Sequence, residues 1–377
     1  MSATEEYRPT NPSFKQSNVA ETIGRDMTET AAQLRDLVSR HVAGGAPVEV
    51  ENLKLPVGAG NSNETILFDA RWTVDGVAQQ RGMVLRIAPN GYQLFKDPRI
   101  ADQYRLMQVL TEIGKVRVAT PLHFDGGTEP FGAPYFLMGK LDGFVPVTFP
   151  PYNSAGKLFD ATIAQRRTAW ESAMEQLCEI ALTPLDEVAF LADNPDDGDF
   201  DAHFRMTLDE CRWSKADHVP IIAQTEQWLI ANKPKNPPAG LSWGDARIGN
   251  MMIGPDFQIS GVMDWEQLSL GGALLDLGWW LFFDAFHSVN LGLTRLEGLG
   301  TRDETLAYFR GRTGIDTAEV QWYEVLAGYK LALIMARKLI MEKSSDPGNN
   351  ANNNIITIQL ARSLGIEAPG DVIEEIA

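Results

Sequence analysis

Over residues 28–42, Ala31, Leu34, Leu37, Val38 and Val42 fall on one helical face, and Gly44-Gly45 ends the run. The preceding residues 1–25 are polar and carry prolines, the pattern of a tail. After the glycines the apolar period shortens towards two. Runs at 48–57, 64–74 and 82–88 read as strands, and Asp75-Gly76 between the second and third predicts a tight hairpin. The helical period returns at 99–114, with Ile100, Tyr104, Met107, Val109, Leu110 and Ile113 apolar and Gly114 as the stop; strand-like LHFD and PYFLMGKL follow. Beyond residue 155 nearly the whole chain is helical in period. The order predicts an α+β protein, with a small antiparallel-sheet lobe over residues 1–139 and a mainly helical lobe over 140–377.

One stretch interrupts the helical half. At 242–264 the short runs MMI and ISGVM flank Gly254, Pro255 and Asp256, a brief hairpin among helices and the first place to look for chemistry. Residues 193–201, DNPDDGDFD, read as a solvated acidic loop, and NNANNN at 349–354 as a helix start or a loop. There is no internal repeat.

The length of 377 residues exceeds the roughly 250–300 at which single cores stop growing, so two lobes fit. With 44% hydrophobic and 22% charged residues the chain is of ordinary globular composition, not disordered or fibrous. Fifty acidic residues against 33 basic ones give a net charge of −17, a field that repels phosphate backbones and anionic bilayers. Neither nucleic acid nor membrane is expected as a partner. The same excess would attract a cationic substrate, but it also serves solubility and does not choose between them. Two cysteines, Cys178 and Cys211, make no disulfide framework, and the histidines at 41, 123, 203, 218 and 287 show no metal-ligand spacing. No apolar run approaches the ~18 residues of a membrane span and the first residues carry no export-type apolar core, so a cytoplasmic location is expected.

Candidate chemistry concentrates in SWGDARIGNMMI and the later GVMDWE. These supply Asp245, Asn250 and Asp264: two carboxylates and an amide, the hard oxygen ligands and proton acceptor that magnesium-dependent phosphoryl transfer requires. Asp245 and Asn250 have the D-x-x-x-x-N spacing of a kinase catalytic loop, and Asp264 follows an apolar strand where a second metal-binding aspartate belongs. The spacing alone is weak, and a turn cap at Asp245 with a strand end at Asp264 explains it equally; the ordered combination is the specific signal.

In these segments the chain resembles the aminoglycoside phosphotransferase superfamily, and within it the branch similar to the kinase domain fused to some acyl-CoA dehydrogenases. Members read HGD-x-x-x-x-N, then a strand ending in D-W-E, then a D-L-A or D-L-G helix start. Here WGDARIGN, DWE and DLGW occur in that order. The resemblance implies a two-lobed protein-kinase-like fold, Asp245 as catalytic base, Asn250 and Asp264 as magnesium ligands, Asp276 as a brace for the loop, and Arg247 as a cation against the γ-phosphate. Trp243 stands where the family has histidine, a change that implies repacking around the loop.

The small lobe carries looser signals. Gly58, Gly60, Asn61 and Ser62 lie between two strands, where their amides and side chains would cover phosphates, although an ordinary hairpin turn has the same composition. No P-loop motif is present. Arg86 occupies the place of the kinase phosphate-gripping lysine, and Gln103 that of its glutamate partner. An arginine stays charged unaided and forks onto phosphate oxygens, so the two departures match one another; a surface arginine would look the same. Met138 and Lys140 fall at the expected adenine hinge, where an apolar strand running into a linker gives the same pattern.

The reading is therefore a transferase using ATP or GTP with Mg2+ to phosphorylate a hydroxyl of a small molecule, either an aminoglycoside or a hydroxylated acyl compound, by a monomer or homodimer. The alternative is a non-catalytic nucleotide sensor, favoured by Arg86 and Gln103 and disfavoured by the intact Asp245, Asn250 and Asp264.

Overall fold

Asp75 and Gly76 both take positive φ, 50° and 78°, the two-residue hairpin turn that suits the right-handed twist of strands. They join β2 (Glu64–Val74) to β3 (Val77–Ile87) in a computed structural model that describes residues 25–55, 63–89, 97, 99–193, 198–341 and 350–367. With β1 (Val48–Lys54), β4 (Pro121–Asp125) and β5 (Tyr135–Gly139) they form a five-stranded sheet of order β1-β2-β3-β5-β4, every pair antiparallel. Alternation along β2 turns Ile66, Phe68 and Ala70 to the interior. Helix α1 (Met27–His41) starts on the Asp26 carboxylate, which accepts from the amides of Thr28 and Glu29, and packs against β1 with Leu34, Leu37 and Val38 buried.

Packing divides the chain into residues 1–101 with 121–140, and residues 102–120 with 141–377. The division expected at residue 139 thus stands beside one after Lys140, and most of α2 (Ile100–Ile113) groups with the helical unit. The segment after that helix shows why: the Val262 amide donates to the Arg117 carbonyl at 2.7 Å, and Arg117 Nη1 donates to the Ile259 carbonyl at 2.8 Å.

The helical unit continues with α3 (Lys157–Asp160), α4 (Ile163–Ala181), α5 (Phe200–Trp213) and α6 (Pro220–Ala231), then the hairpin β6 (Met251–Ile253) and β7 (Ile259–Val262). It ends with α7 (Leu274–Phe286), α8 (Arg302–Thr313), α9 (Val320–Met341) and α10 (Ile355–Leu364). Helix α7 is buried almost all round and lies against α9 so closely that a Cβ on Gly278 would meet Tyr323 at 2.5 Å. Asn354, in the asparagine-rich run, is the N-cap of α10. The α+β class with an antiparallel-sheet lobe and a helical lobe is as expected. No helix of the described residues is long and apolar enough to cross a membrane. Cys178 and Cys211 are free and buried, and burial pushes their thiols up to about 12 and about 11.

Candidate active site

The loop ahead of β6 is held from beneath by the first turn of α7. Asp276, 3% exposed, accepts from the Ser242 hydroxyl at 2.9 Å, the Trp243 amide at 2.6 Å and the Gly244 amide at 2.8 Å. Burial raises its carboxyl to about 6, against the pull of those three donors. Gly244 has φ +94°, and a Cβ there would stand 2.2 Å from the Gln267 carbonyl oxygen. Only glycine fits that turn.

This bend delivers Asp245 into a ring of donors. Its Oδ1 accepts from Trp279 Nε1 at 2.8 Å and from Arg247 Nε at 3.2 Å, and its Oδ2 from Asn250 Nδ2 at 2.6 Å. The side chains of Asp245 and Arg247 remain 17% and 20% exposed, so they are reachable by a solute. Arg247 also donates to Thr148 Oγ1 at 3.3 Å and lies 5.7 Å from the Phe283 ring centroid.

The short hairpin brings Asn250 and Asp264 together although fourteen positions part them in sequence. Asn250 directly precedes β6, Asp264 follows β7, and the Met263 amide donates to the Asn250 carbonyl at 3.0 Å. Asp264 has φ +64°, a left-handed conformation that costs an aspartate roughly 1 kcal/mol. The fully buried Trp243 secures this bend, its indole N–H donating to the carbonyls of Met263 at 2.7 Å and Asp264 at 3.1 Å. Trp243 is thus a donor tying the loop to the hairpin's far end.

The donor set fits a hard cation. Asn250 spends its Nδ2 on Asp245, which turns its Oδ1 the other way, and that oxygen makes no hydrogen bond among the described residues. With the Asp264 carboxylate it offers the oxygen ligands that magnesium takes.

In the sheet unit, Gly58, Gly60, Asn61 and Ser62 lie outside the described residues. Arg86 is opposite Phe136 in the β3–β5 pairing, and Met138 opposite Val84. The Lys140 amide donates to the Gly82 carbonyl at 2.9 Å and its ammonium pairs with Asp69 Oδ1 at 2.9 Å. Asn52 and Lys140 together hold the Asp69 carboxyl below its ordinary range. Gln103, which groups with the helical unit, is buried on α2.

Three neighbours of the loop were not singled out by sequence. Trp279 follows Asp276 by three positions, so both lie on one face of α7, and that spacing was the available signal. Thr148 and His287 carried none. His287 is buried beside Tyr152 and Phe283; burial and then the Arg247 charge lower it to about 3, and its Nε2 has no hydrogen-bond partner among the described residues. Three acidic side chains are engaged within the protein: Asp199 caps α5, Asp201 pairs with Lys233, and Asp284 with Arg295.

Comparison with known proteins gives the family and the fold. Residues 55–311 match the model of the phosphotransferase enzyme family. Acyl-CoA dehydrogenase family member 10 of Mus musculus is 26% identical over 249 residues, which cover 65% of this chain and only 21% of that protein. A crystal structure described as a putative aminoglycoside phosphotransferase from Ralstonia eutropha JMP134 superposes with a TM-score of 0.64 at 18% identity, over 91% of this chain and 100% of that one. The GDP and kanamycin complex of an aminoglycoside phosphotransferase gives 0.53 at 13% identity, over 90% and 97%. At these identities the solved structures establish the fold.

Proposed function

The chain belongs to the phosphotransferase enzyme family, and on that premise we propose that it transfers the γ-phosphoryl group of ATP or GTP, with Mg2+, to a hydroxyl of a small molecule. The observation that carries the reading is the set of three donors on Asp245, one of them from Asn250. Phosphoryl transfer asks a protein mainly for positioning and charge compensation, and a carboxylate held at both oxygens, yet partly open to solvent, is suited to orient an acceptor hydroxyl and take its proton. Arg247 places a guanidinium beside that carboxylate to offset charge on the transferring group.

Asn250 and Asp264 would hold the magnesium ion, which when bound neutralises phosphate charge. The remaining roles are assigned by the same reading. Arg86 on β3 grips phosphate oxygens, and Gly58, Gly60, Asn61, Ser62, Met138 and Lys140 bind the nucleotide.

Two acceptor classes are named by the family resemblance, a hydroxylated acyl compound and an aminoglycoside. The pairing of Asp201 and Asp284 with cations favours the acyl class. The test is ADP release from ATP and magnesium over panels of both. Release that depends on an acyl hydroxyl supports the reading and names the class, and release that depends on an aminoglycoside keeps the chemistry and replaces the acceptor. Nucleotide binding without acceptor-dependent release transfers the weight to a nucleotide sensor.

A further inference from the structure

Three donors meet the Asp245 carboxylate, and they are not equivalent. Arg247 and Asn250 belong to the same loop as Asp245, so a shift of the loop carries donors and acceptor together. Trp279 comes from α7, whose buried faces fix it in the helical unit. Its ring is stacked on Phe283 at 5.2 Å between centroids, and the Lys330 ammonium of α9 stands 5.4 Å from its centroid on the largely buried side. A cation near the indole ring is attracted by its electrons and makes the N–H a stronger donor.

We propose that Trp279 is the positioning residue of the proposed phosphoryl transfer, the element that fixes the orientation of the Asp245 side chain. Asp276, one turn earlier on the same face, fixes the Ser242 hydroxyl and the main chain of residues 243 and 244, and Trp279 fixes the carboxylate that follows. Turning the carboxylate about its Cβ–Cγ bond, short of the half-turn that merely exchanges its equivalent oxygens, would leave a buried indole N–H unsatisfied, which a protein interior penalises. The consequence is that Oδ1 is held on the α7 side and the carboxylate keeps one rotamer, as a general base must if its lone pair is to meet an acceptor hydroxyl. This inference rests on the phosphotransferase reading for its kinetic consequence, while the contact itself is open to direct measurement.

The experiment pairs kinetics with nuclear magnetic resonance on the full chain. Trp279→Phe keeps most of the ring and removes the N–H. We expect kcat to fall roughly 10- to 100-fold, because a small misplacement of a catalytic group costs that much. The KM for nucleotide should change by less than about twofold, since no ground-state contact to nucleotide is lost. In parallel, the indole N–H resonance of Trp279, assigned by sequential connectivity in the wild-type chain, should move clearly in Asp245→Ala, which leaves Trp279 in place and serves even if Trp279→Phe fails to fold. A resonance identical in wild type and Asp245→Ala overturns the proposal. So does a folded Trp279→Phe with unchanged kcat alongside an inactive Asp245→Ala. A wild-type chain that turns over no nucleotide, yet shows the resonance shift, sinks the phosphotransferase reading while the contact stands.

Discussion

The sheet unit and the loop at 242–250 handle charge in opposite ways. Across the sheet, polar residues pair between strands at the surface: Arg71 with Glu51 on the neighbouring strand, and Lys140 across β3 with Asp69, each at least partly exposed. At the loop, two carboxylates gather three donors each, and Asp276 does so with no access to water. Exposed pairs trade water for a partner at little gain, whereas a buried acceptor shared by several donors fails as a unit when it is lost. The sheet therefore tolerates change at its charged positions and the loop does not. The largely buried Arg25–Glu64 pair is an exception among the described residues of the sheet unit.

The sharpest way to break this contrast is Asp245→Asn, expected to lower kcat about 10³-fold with nucleotide affinity retained, measured by acceptor-dependent ADP release and by titration calorimetry. An active Asp245→Asn would remove the loop from the chemistry. Next in size is Asp276→Ala, which strands a hydroxyl and two amides in the interior; urea unfolding should show a loss of about 3 kcal/mol. If the loss is under about 1 kcal/mol, water enters the cavity and the loop is no more rigid than the sheet.

A third prediction concerns pH. His287 is lowered to about 3 when folded and titrates near 6.5 when unfolded, so protons bind the unfolded chain first. Its contribution to stability is present above pH 6.5 and is lost as pH falls from there towards 3. Between pH 7 and 5 this amounts to about 2 kcal/mol, and His287→Phe should flatten that part of the stability profile. The smallest effect is expected in the sheet: Asp69→Asn should cost about 0.5 kcal/mol or less, and high salt should erase the difference from wild type.

The legible parts of the site share a property: each sits in a local pattern. The D-x-x-x-x-N spacing, the hairpin glycine and proline, and the DLGW helix start are short-range features, and the structure brings Asp245, Arg247, Asn250 and Asp264 into one loop-and-hairpin assembly. The family match agrees with the kinship read from those motifs. Trp279 was on the page as part of DLGW, but its donor role needs α7 to be placed under the loop. Asp284 counts towards the acidic excess that would attract a cationic substrate, yet Arg295, eleven residues on, pairs with it. In the fold, the first helix, the strand hairpin and the helical half followed from periodicity, while the grouping of residues 102–120 with the helical unit did not, because Arg117 and Val118 find their partners on β7, more than 140 positions away.

By itself the sequence determined the elements, their order and the residue types proposed to handle a magnesium nucleotide, since periodicity, turn chemistry and motif spacing act over a few residues. Tertiary structure decided which donors point at which oxygens: that Trp243 closes on the Asp264 bend, that Asp276 collects three groups, and that Trp279 reaches Asp245. Those contacts depend on α7 and the hairpin packing around one loop, and no local pattern encodes the angle at which a buried helix meets it.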